Sequence, residues 1–263
     1  MSTRKPSPPS ADAPDDGPSG SSARSLAMLS VLARAGTALT LAELAAPLAL
    51  PKATAHRIAE RLVEDGFLSR DVDERTFSTG PALHRLAFDT LNHGVRKGLR
   101  HQVLGDLVDR IGETCNFTTL DGAEVLYLDR VEAAWPLRLT LDVGSRVPLH
   151  CTASGKLFLA FLPEAERELV IERTVLARMT PRTITTAAAL RAECARIARD
   201  GHAVDRQEFI AGLIAVAVPV RDAAGSVRAA IAVHAPAARM TLRAAVGQIA
   251  ALRGAAKRMQ ALL

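Results

Sequence analysis

Thr40-Leu-Ala-Glu-Leu-Ala-Ala-Pro-Leu-Ala-Leu-Pro-Lys-Ala-Thr-Ala-His-Arg-Ile-Ala-Glu-Arg-Leu-Val-Glu64 is the stretch that decides the N-terminal fold. Thr40-Leu-Ala-Glu43 has the spacing of a capping box, in which hydroxyl and carboxylate each satisfy an orphan N–H. It predicts a short helix to about Ala46, which Pro47 ends or bends because it lacks an N–H. Pro51 suits the first turn of a helix that runs to Glu64 and stops at Asp65-Gly66. Ala55, Ile58, Ala59 and Leu62 share one side of this helix, and Thr54, Arg57, Arg61 and Glu64 the other. Upstream, Leu26, Leu29, Val31, Leu32 and Ala33 recur at helical spacing and stop at Gly36. Downstream, Phe67–Arg70 and Arg75–Thr79 flank an acidic turn at 71–74 and read as a β-hairpin closed by Gly80-Pro81. Three helices and a hairpin in this order predict a winged helix-turn-helix.

Such a domain reads base edges with the N-terminal part of its second motif helix. Lys52, Thr54, His56 and Arg57 cluster in the first two turns of that helix. The planar fork of Arg57 suits guanine N7 and O6, and Lys52 at the positive helix end suits a phosphate. Arg61 lies on the same outward side, and Arg70 and Arg75 bracket the hairpin, where they are expected to grip the backbone. The charge excess on the helix is modest, with Lys52, Arg57 and Arg61 against Glu60, so each head is expected to bind double-stranded DNA moderately and to need dimerisation. Any surface helix carries Lys and Arg; the order of the elements is what raises DNA binding above that bland reading.

Composition is compatible. The 263 residues hold 33 Lys and Arg against 28 Asp and Glu, a net charge of +5 with pI about 9.5. Only 3% are aromatic, too few for the stacking platforms of single-strand binders. Cys115, Cys151 and Cys194 form no C-x-x-C pair, so a reducing cytoplasm is expected rather than a disulfide framework. Residues 1–21, rich in Pro, Ser, Gly and Asp, are expected to be a disordered tail without the apolar core of a secretory signal. Apolar runs such as Leu213–Val220 are far short of a membrane span, which needs about 20 residues.

The remainder predicts a connecting helix and an α+β domain. A helix is expected at 82–92, broken at His93-Gly94, and a longer one from Val95 to Gly112. Asn116–Leu120 and Glu124–Leu128 flank Asp121-Gly122, a strong hairpin signal. Leu137–Val143 alternates like another strand. Helices follow near 152–162, 164–175 and 186–200, then a hairpin of Leu213–Val220 and Val227–Val233, and a closing helix at 241–263. The expected domains are a tail at 1–21, a winged helix-turn-helix at 22–81, a connecting helix at 82–95 and an effector-binding domain at 96–263.

Two stretches carry chemistry in the second domain. In Val147-Pro-Leu-His-Cys-Thr-Ala-Ser-Gly-Lys156, Thr152 can cap a helix whose first N–H groups form an anion site; the plainer reading is an ordinary capped helix. The stretch is neither a P-loop nor a G-x-S-x-G elbow, because the required glycines are missing. Gly201-x3-Asp205-x2-Glu208-x3-Gly212 reads as a polar loop that positions a ligand or caps a neighbour. His234 interrupts an apolar strand, where a lone histidine is more often hydrogen-bonded than catalytic. His150, Cys151 and Cys115 lack zinc-site spacing, and neither metal nor cofactor is expected. The order Ser154, Asp205, His234 mimics a hydrolase triad, so a small-molecule hydrolase is the alternative function, and a pure interaction module a third.

Taken together, Leu50–Arg57, Pro148–Lys156, Gly201-x3-Asp205-x2-Glu208 with Ala215–Val220 and Asp222, and Ala235–Thr241 resemble the IclR-type bacterial transcriptional regulators over about residues 23–263. The resemblance implies a winged helix-turn-helix and a C-terminal effector domain of profilin- or GAF-like α/β form. It also implies dimers, often paired into tetramers, that bind promoter DNA and a small carboxylate or aromatic catabolite. Carried over, the family pocket falls at Ala153 and Ser154, Asp205, Leu213 and Ala215, and Ala232 and His234. Ala215 stands where many members carry Cys, and Ala232 and His234 where paired serines are frequent. These departures imply a roomier, less polar pocket than one built for a two-carbon acid, with His234 available to a carboxylate or phenol. Arg221 stands where an aromatic residue or His is usual. Ala49 departs from a common glycine, which costs energy if the position needs positive φ.

Overall fold

The computed structural model describes residues 20–71, 75–92, 95–135 and 141–262. The chain forms two compact units, Met1–Phe88 and Asp89–Leu263.

The first unit contains α1 (Ser21–Ala35), β1 (Leu39–Thr40), α2 (Leu41–Ala45), a 3-10 turn (Ala46–Leu48), α3 (Lys52–Glu64), β2 (Leu68–Arg70) and β3 (Thr76–Thr79), and α4 (Pro81–Asn92) follows. The three strands form an antiparallel sheet in the order β1-β3-β2. The capping box is present in full: Glu43 N–H donates to the Thr40 hydroxyl, and Thr40 N–H donates to the Glu43 carboxylate at 2.8 Å. Pro47 falls in the 3-10 turn that ends α2, and Pro51 sits one residue before α3, at its N-cap position, rather than in the first turn. α1 begins at Ser21, the last residue of the expected tail, and is terminated by Gly36 with φ +70°. Residues 1–19 of the expected tail lie outside the described residues. Ala55, Ile58, Ala59 and Leu62 are buried against Met28, Leu29 and Leu32 of α1, Leu44 of α2 and Phe77 of the wing. The strand β1, too short to show a pattern, was not foreseen. Ala49 adopts φ +50°, the left-handed conformation its position was suspected to need.

The second unit contains α5 (Val95–Ile111), β4 (Thr114–Asp121), β5 (Glu124–Val131), β6 (Arg146–Pro148), α6 (Ala153–Phe161), α7 (Glu164–Arg173), α8 (Ala187–Asp200), β7 (Ala203–Arg206), β8 (Leu213–Arg221), β9 (Val227–Pro236), α9 (Leu242–Gly247) and α10 (Ile249–Gln260). A six-stranded antiparallel sheet runs β6-β5-β4-β9-β8-β7. α6, backed by α8, packs on one face, where Ala203, Ala215, Ala217, Ala230 and Ala232 present only methyl groups and allow close approach. α5 and α10 pack against β4, β5, β8 and β9. Buried Arg100 of α5 stacks over Phe117 of β4, and His101 of α5 meets Asp129 of β5 at 3.0 Å.

Three expectations need correction. Leu141–Val143 is not a strand, and 136–140 lies outside the described residues; the strand comes after the turn, at β6, where Arg146 meets Asp121 of the neighbouring hairpin at 2.6 Å. The acidic loop at 201–212 begins as a strand, β7, because Ala203 and Val204 are apolar enough to pair with Ala217 and Val216. The closing helix is two helices, broken at Gln248.

Candidate functional sites

On α3, Lys52, His56, Arg57 and Arg61 are exposed and Thr54 is half-buried. Their commitments differ. Arg61 donates to Asp65 at 3.2 Å and Glu64 at 3.5 Å. His56 Nδ1 lies 3.2 Å from Glu60, and the same carboxylate takes the guanidinium of Arg70. Arg70 also stacks over Phe77, 5.0 Å from the ring centre. Glu60 thus fastens the wing to the reading helix. Among the described residues neither Lys52 nor Arg57 has an ion-pair partner, so these two offer their charge outward. Arg75 is exposed beside the turn at 72–74, which lies outside the described residues.

In the second unit, the Thr152 hydroxyl accepts the Gly155 N–H at 3.1 Å and donates to Pro148 O at 2.8 Å. The capped helix leaves the N–H groups of Ala153 and Ser154, both buried, as helix-start donors. A side chain at Gly155 would place its Cβ 2.4 Å from Leu149 Cα, so only glycine lets the loop cross the helix this closely. Lys156 is fully buried; its ammonium donates to Glu208 at 2.6 Å and to Val204 O at 2.7 Å, and lies 3.5 Å from Glu193. Gly155 and Lys156, which superficially suggest a phosphate loop, are therefore structural. Burial works to raise the Glu193 pKa, but hydrogen bonding from Arg196 and the charges of Lys156, Arg196 and Arg206 hold it down at about 2.

The loop from Gln207 to Gly212 is anchored over this ion pair. Thr183 and Thr180 hydroxyls donate to Glu208 O and Gln207 O, each at 2.7 Å, and Glu208 N–H donates to Asp205 Oδ1 at 2.6 Å. Asp205 is buried on β7, not on a loop. Burial pushes its carboxyl up to about 7, only partly offset by the Glu208 N–H.

Strand register sets Asp205, Ala215, Ala232 and His234 of the inferred pocket on one face of the sheet. Asp205, Ala215, His234 and Thr114 are successive neighbours across β7, β8, β9 and β4. The next row on the same face is Ala203, Ala217, Ala232, Asn116 and Arg130. Tyr127 meets His234 edge to face at 6.4 Å, and its hydroxyl pKa is raised, mainly by burial and also by Asp205. Burial, with the Arg130 charge added, lowers the His234 pKa to about 3, although the residue as a whole is only partly buried. Its Nδ1 is enclosed without a partner among the described residues. Leu213 opens β8 and is buried. Asn116, Tyr127 and Arg130 were not found in the sequence, since nothing local marks them.

This geometry does not assemble a hydrolase. Ala215 separates Asp205 from His234 in the row, and His234 Nδ1, whose N–H would donate to a triad acid, has no such acceptor among the described residues. Among the described residues no cluster of His, Cys, Asp or Glu could hold a metal, and no helix is long and apolar enough to cross a membrane. Burial lifts the thiol pKa of Cys151 to about 12 and of Cys194 to about 11, and raises that of Cys115 too, so all three are poor nucleophiles. An open groove of about 330 Å³, lined by residues including Arg221, Arg253 and Lys257, contains none of the row residues.

Comparison with known proteins agrees with both halves. Residues 21–72 match the family model described as the IclR helix-turn-helix domain, and residues 92–261 that of the bacterial transcriptional regulator IclR C-terminal. The chain is 45% identical to a Cupriavidus necator protein named "Probable transcriptional regulator SauR", over 90% of this chain and 94% of that one. The crystal structure of Thermotoga maritima IclR superposes with a TM-score of 0.62 at 28% identity, covering 90% of this chain and 96% of that one. An IclR homolog from Microbacterium hydrocarbonoxydans, solved in complex with 4-hydroxybenzoate, gives 0.57 at 29% identity, covering 93% and 99%. These relatives are transcriptional regulators rather than enzymes, and this chain, a DNA-binding helix-turn-helix joined to an α+β domain, belongs to the IclR family of bacterial transcriptional regulators.

Proposed function

We propose that the protein is a ligand-responsive regulator of promoter DNA. It binds double-stranded DNA in the cytoplasm through Lys52, Thr54, His56, Arg57 and Arg61, with Arg70 and Arg75 at the wing. It binds a small organic acid or aromatic catabolite in the C-terminal domain. The observation that carries the sensing half is the row of Asp205, Ala215 and His234, which holds an enclosed, unpartnered imidazole nitrogen. A buried polar atom without a partner is uncommon in a native core and calls for an explanation, and a ligand at this end of the row supplies one. Ala153, Ser154, Leu213 and Ala232 complete the proposed lining. The relative that binds 4-hydroxybenzoate supports an aromatic acid as the first class to try. The proposed division of labour is a reading domain at 22–81, a connecting helix at 82–95 and an effector domain at 96–263.

The proposed mechanism is population shift: an effector favours one arrangement of a homodimer or homotetramer and so the spacing of its reading heads. Retention of a labelled fragment from the native locus, with and without candidate acids, tests the whole scheme. Salt-sensitive retention that changes with an acid is expected. Retention of no fragment at any salt concentration refutes DNA regulation, and retention unaffected by any acid that raises the Tm refutes coupling.

A further inference from the structure

The chemistry of the proposed effector follows from Asn116 and Arg130, which the family resemblance did not supply, taken with His234 and Asp205, which it did. Arg130 Nη1 donates to Asn116 Oδ1 at 2.8 Å. An arginine has no acceptor, so this bond fixes which end of the Asn116 amide is oxygen. The other end, Nδ2, is then a donor; Asn116 is 0% exposed, and Nδ2 has no partner among the described residues. Arg130 is itself held by Glu132 at 3.2 Å, and its side chain is only 6% exposed. Asn116 neighbours Ala232, and His234 lies two residues further along the same strand face. A cation, an amide donor and an imidazole nitrogen therefore converge at the β4–β9 side of the sheet. The opposite side holds the Asp205 carboxyl, and only the Ala215 methyl stands between Asp205 and His234 in their row.

Resting on the effector-binding reading above, we propose that Asn116, Arg130 and His234 are the acid-recognising end of the pocket. The effector is a hydroxy acid whose carboxylate sits there and whose hydroxyl reaches Asp205. A carboxylate at the Asp205 end would face a like charge whenever that group is ionised, whereas a hydroxyl can donate to it. The backbones of His234 and Asn116 lie two and three strand spacings from that of Asp205, about 10–14 Å, and Arg130 reaches Asn116 from the next strand beyond. With a hydrogen bond of about 2.8 Å at each end, a molecule with heads about 5–8 Å apart bridges them. A two-carbon acid does not.

The test is calorimetric titration of the full-length protein at pH 7 with six probes: 4-hydroxybenzoate, benzoate, 4-hydroxybenzyl alcohol, 6-hydroxyhexanoate, hexanoate and hexane-1,6-diol. In at least one series the hydroxy acid is expected to bind at least tenfold tighter than the diol or alcohol, with the plain acid between them. Asn116→Asp keeps the volume and the Arg130 contact but replaces the donor with a carboxylate. It should weaken the hydroxy acid at least tenfold and leave the alcohol within twofold, with an unchanged circular dichroism spectrum. His234→Asn, which retains polarity, should weaken the acid severalfold and provides the readout should Asn116→Asp fail to fold. Alcohols that bind as tightly as acids, or acids that bind both variants like the parent, overturn the proposal while the sensor reading stands. Binding of none of the six overturns this effector class, and a sensor reading independent of it then survives only if a broader metabolite panel raises the Tm.

Discussion

Removing the ammonium of Lys156 tests most directly what holds the effector domain together. Lys156→Met keeps the length and apolar stem of a fully buried side chain and deletes only the charge. It leaves the Glu208 carboxylate, 4% exposed, without its main partner, and Val204 O without its donor. Breaking a buried pair from one side costs about 3–5 kcal/mol, because the remaining charge is neither paired nor hydrated. The unit spans about 175 residues, and an unfolding entropy near 2.1 cal/mol/K per residue gives about 0.37 kcal/mol/K. The Tm should therefore fall by about 8–14 °C. The double variant Lys156→Met, Glu208→Met removes both charges and should recover at least about 2 kcal/mol of the loss, since an apolar replacement of a buried pair is often nearly neutral. Urea unfolding followed by circular dichroism measures both. A loss below about 1 kcal/mol for Lys156→Met, or a double variant no more stable than the single one, would show that the pair does not organise this core.

Other outcomes follow from the same geometry. Arg57→Ala should cost about 1–3 kcal/mol in operator affinity and relax base preference at one position, as for a base-edge contact; equal weakening of all duplexes in gel retention would make Arg57 a phosphate contact. Ala49→Gly should raise stability by up to about 1 kcal/mol, because relief of a left-handed alanine exceeds the added chain entropy; a lower urea midpoint would contradict the strain. Asp205 has a folded pKa of about 7 against an ordinary 3.8, so its contribution to stability is full below about pH 4 and is lost as pH rises through 7. Asp205→Asn, which still accepts the Glu208 N–H, should therefore raise the Tm more at pH 8 than at pH 4. An equal shift at both pH values would remove burial of the carboxylate as the cause.

The parts of this protein that could be read from sequence are those whose physics is local. The Thr40–Glu43 capping box, the apolar stripe of α3 and the stop at Gly36 each depend on residues within one or two turns. Ala49, by contrast, stood out only through the family resemblance, as a departure from a common glycine, and its φ of +50° is the conformation that glycine would favour. β7 was missed because four residues between a glycine and a polar run carry too little alternation to outweigh the loop signal. The Lys156–Glu208 pair joins positions 52 residues apart and has no local signature; only the apolar company of Lys156 in Leu157-Phe-Leu-Ala160 hinted that its charge needed a buried partner. Arg221, unexplained in the sequence, stacks 4.6 Å from the Phe161 ring centre and donates to Gly225 O, so it serves packing at the end of β8.

The acid-recognising end shows why a pocket can be hidden while its fold is plain. Strand alternation puts residues an even number apart on one face. Tyr127 and Arg130 are three apart, so simple alternation places them on opposite faces of β5. The register against β4 changes between Phe117 and Thr118: Thr118 pairs with Tyr127, but Phe117 pairs with Asp129 and Asn116 with Arg130. One extra residue, Leu128, is absorbed on β5, which is the definition of a bulge. It turns Arg130 onto the face of Tyr127, Asn116 and His234. Without it regular alternation would put Arg130 on the face opposite Asn116. A bulge is a property of two strands at once, and no reading of β5 alone reveals it. The proposed lining at Ala153, Ser154, Asp205 and His234 comes from the family resemblance, whereas the Arg130–Asn116 contact proposed to help select an acid depends on a pairing irregularity visible only in three dimensions.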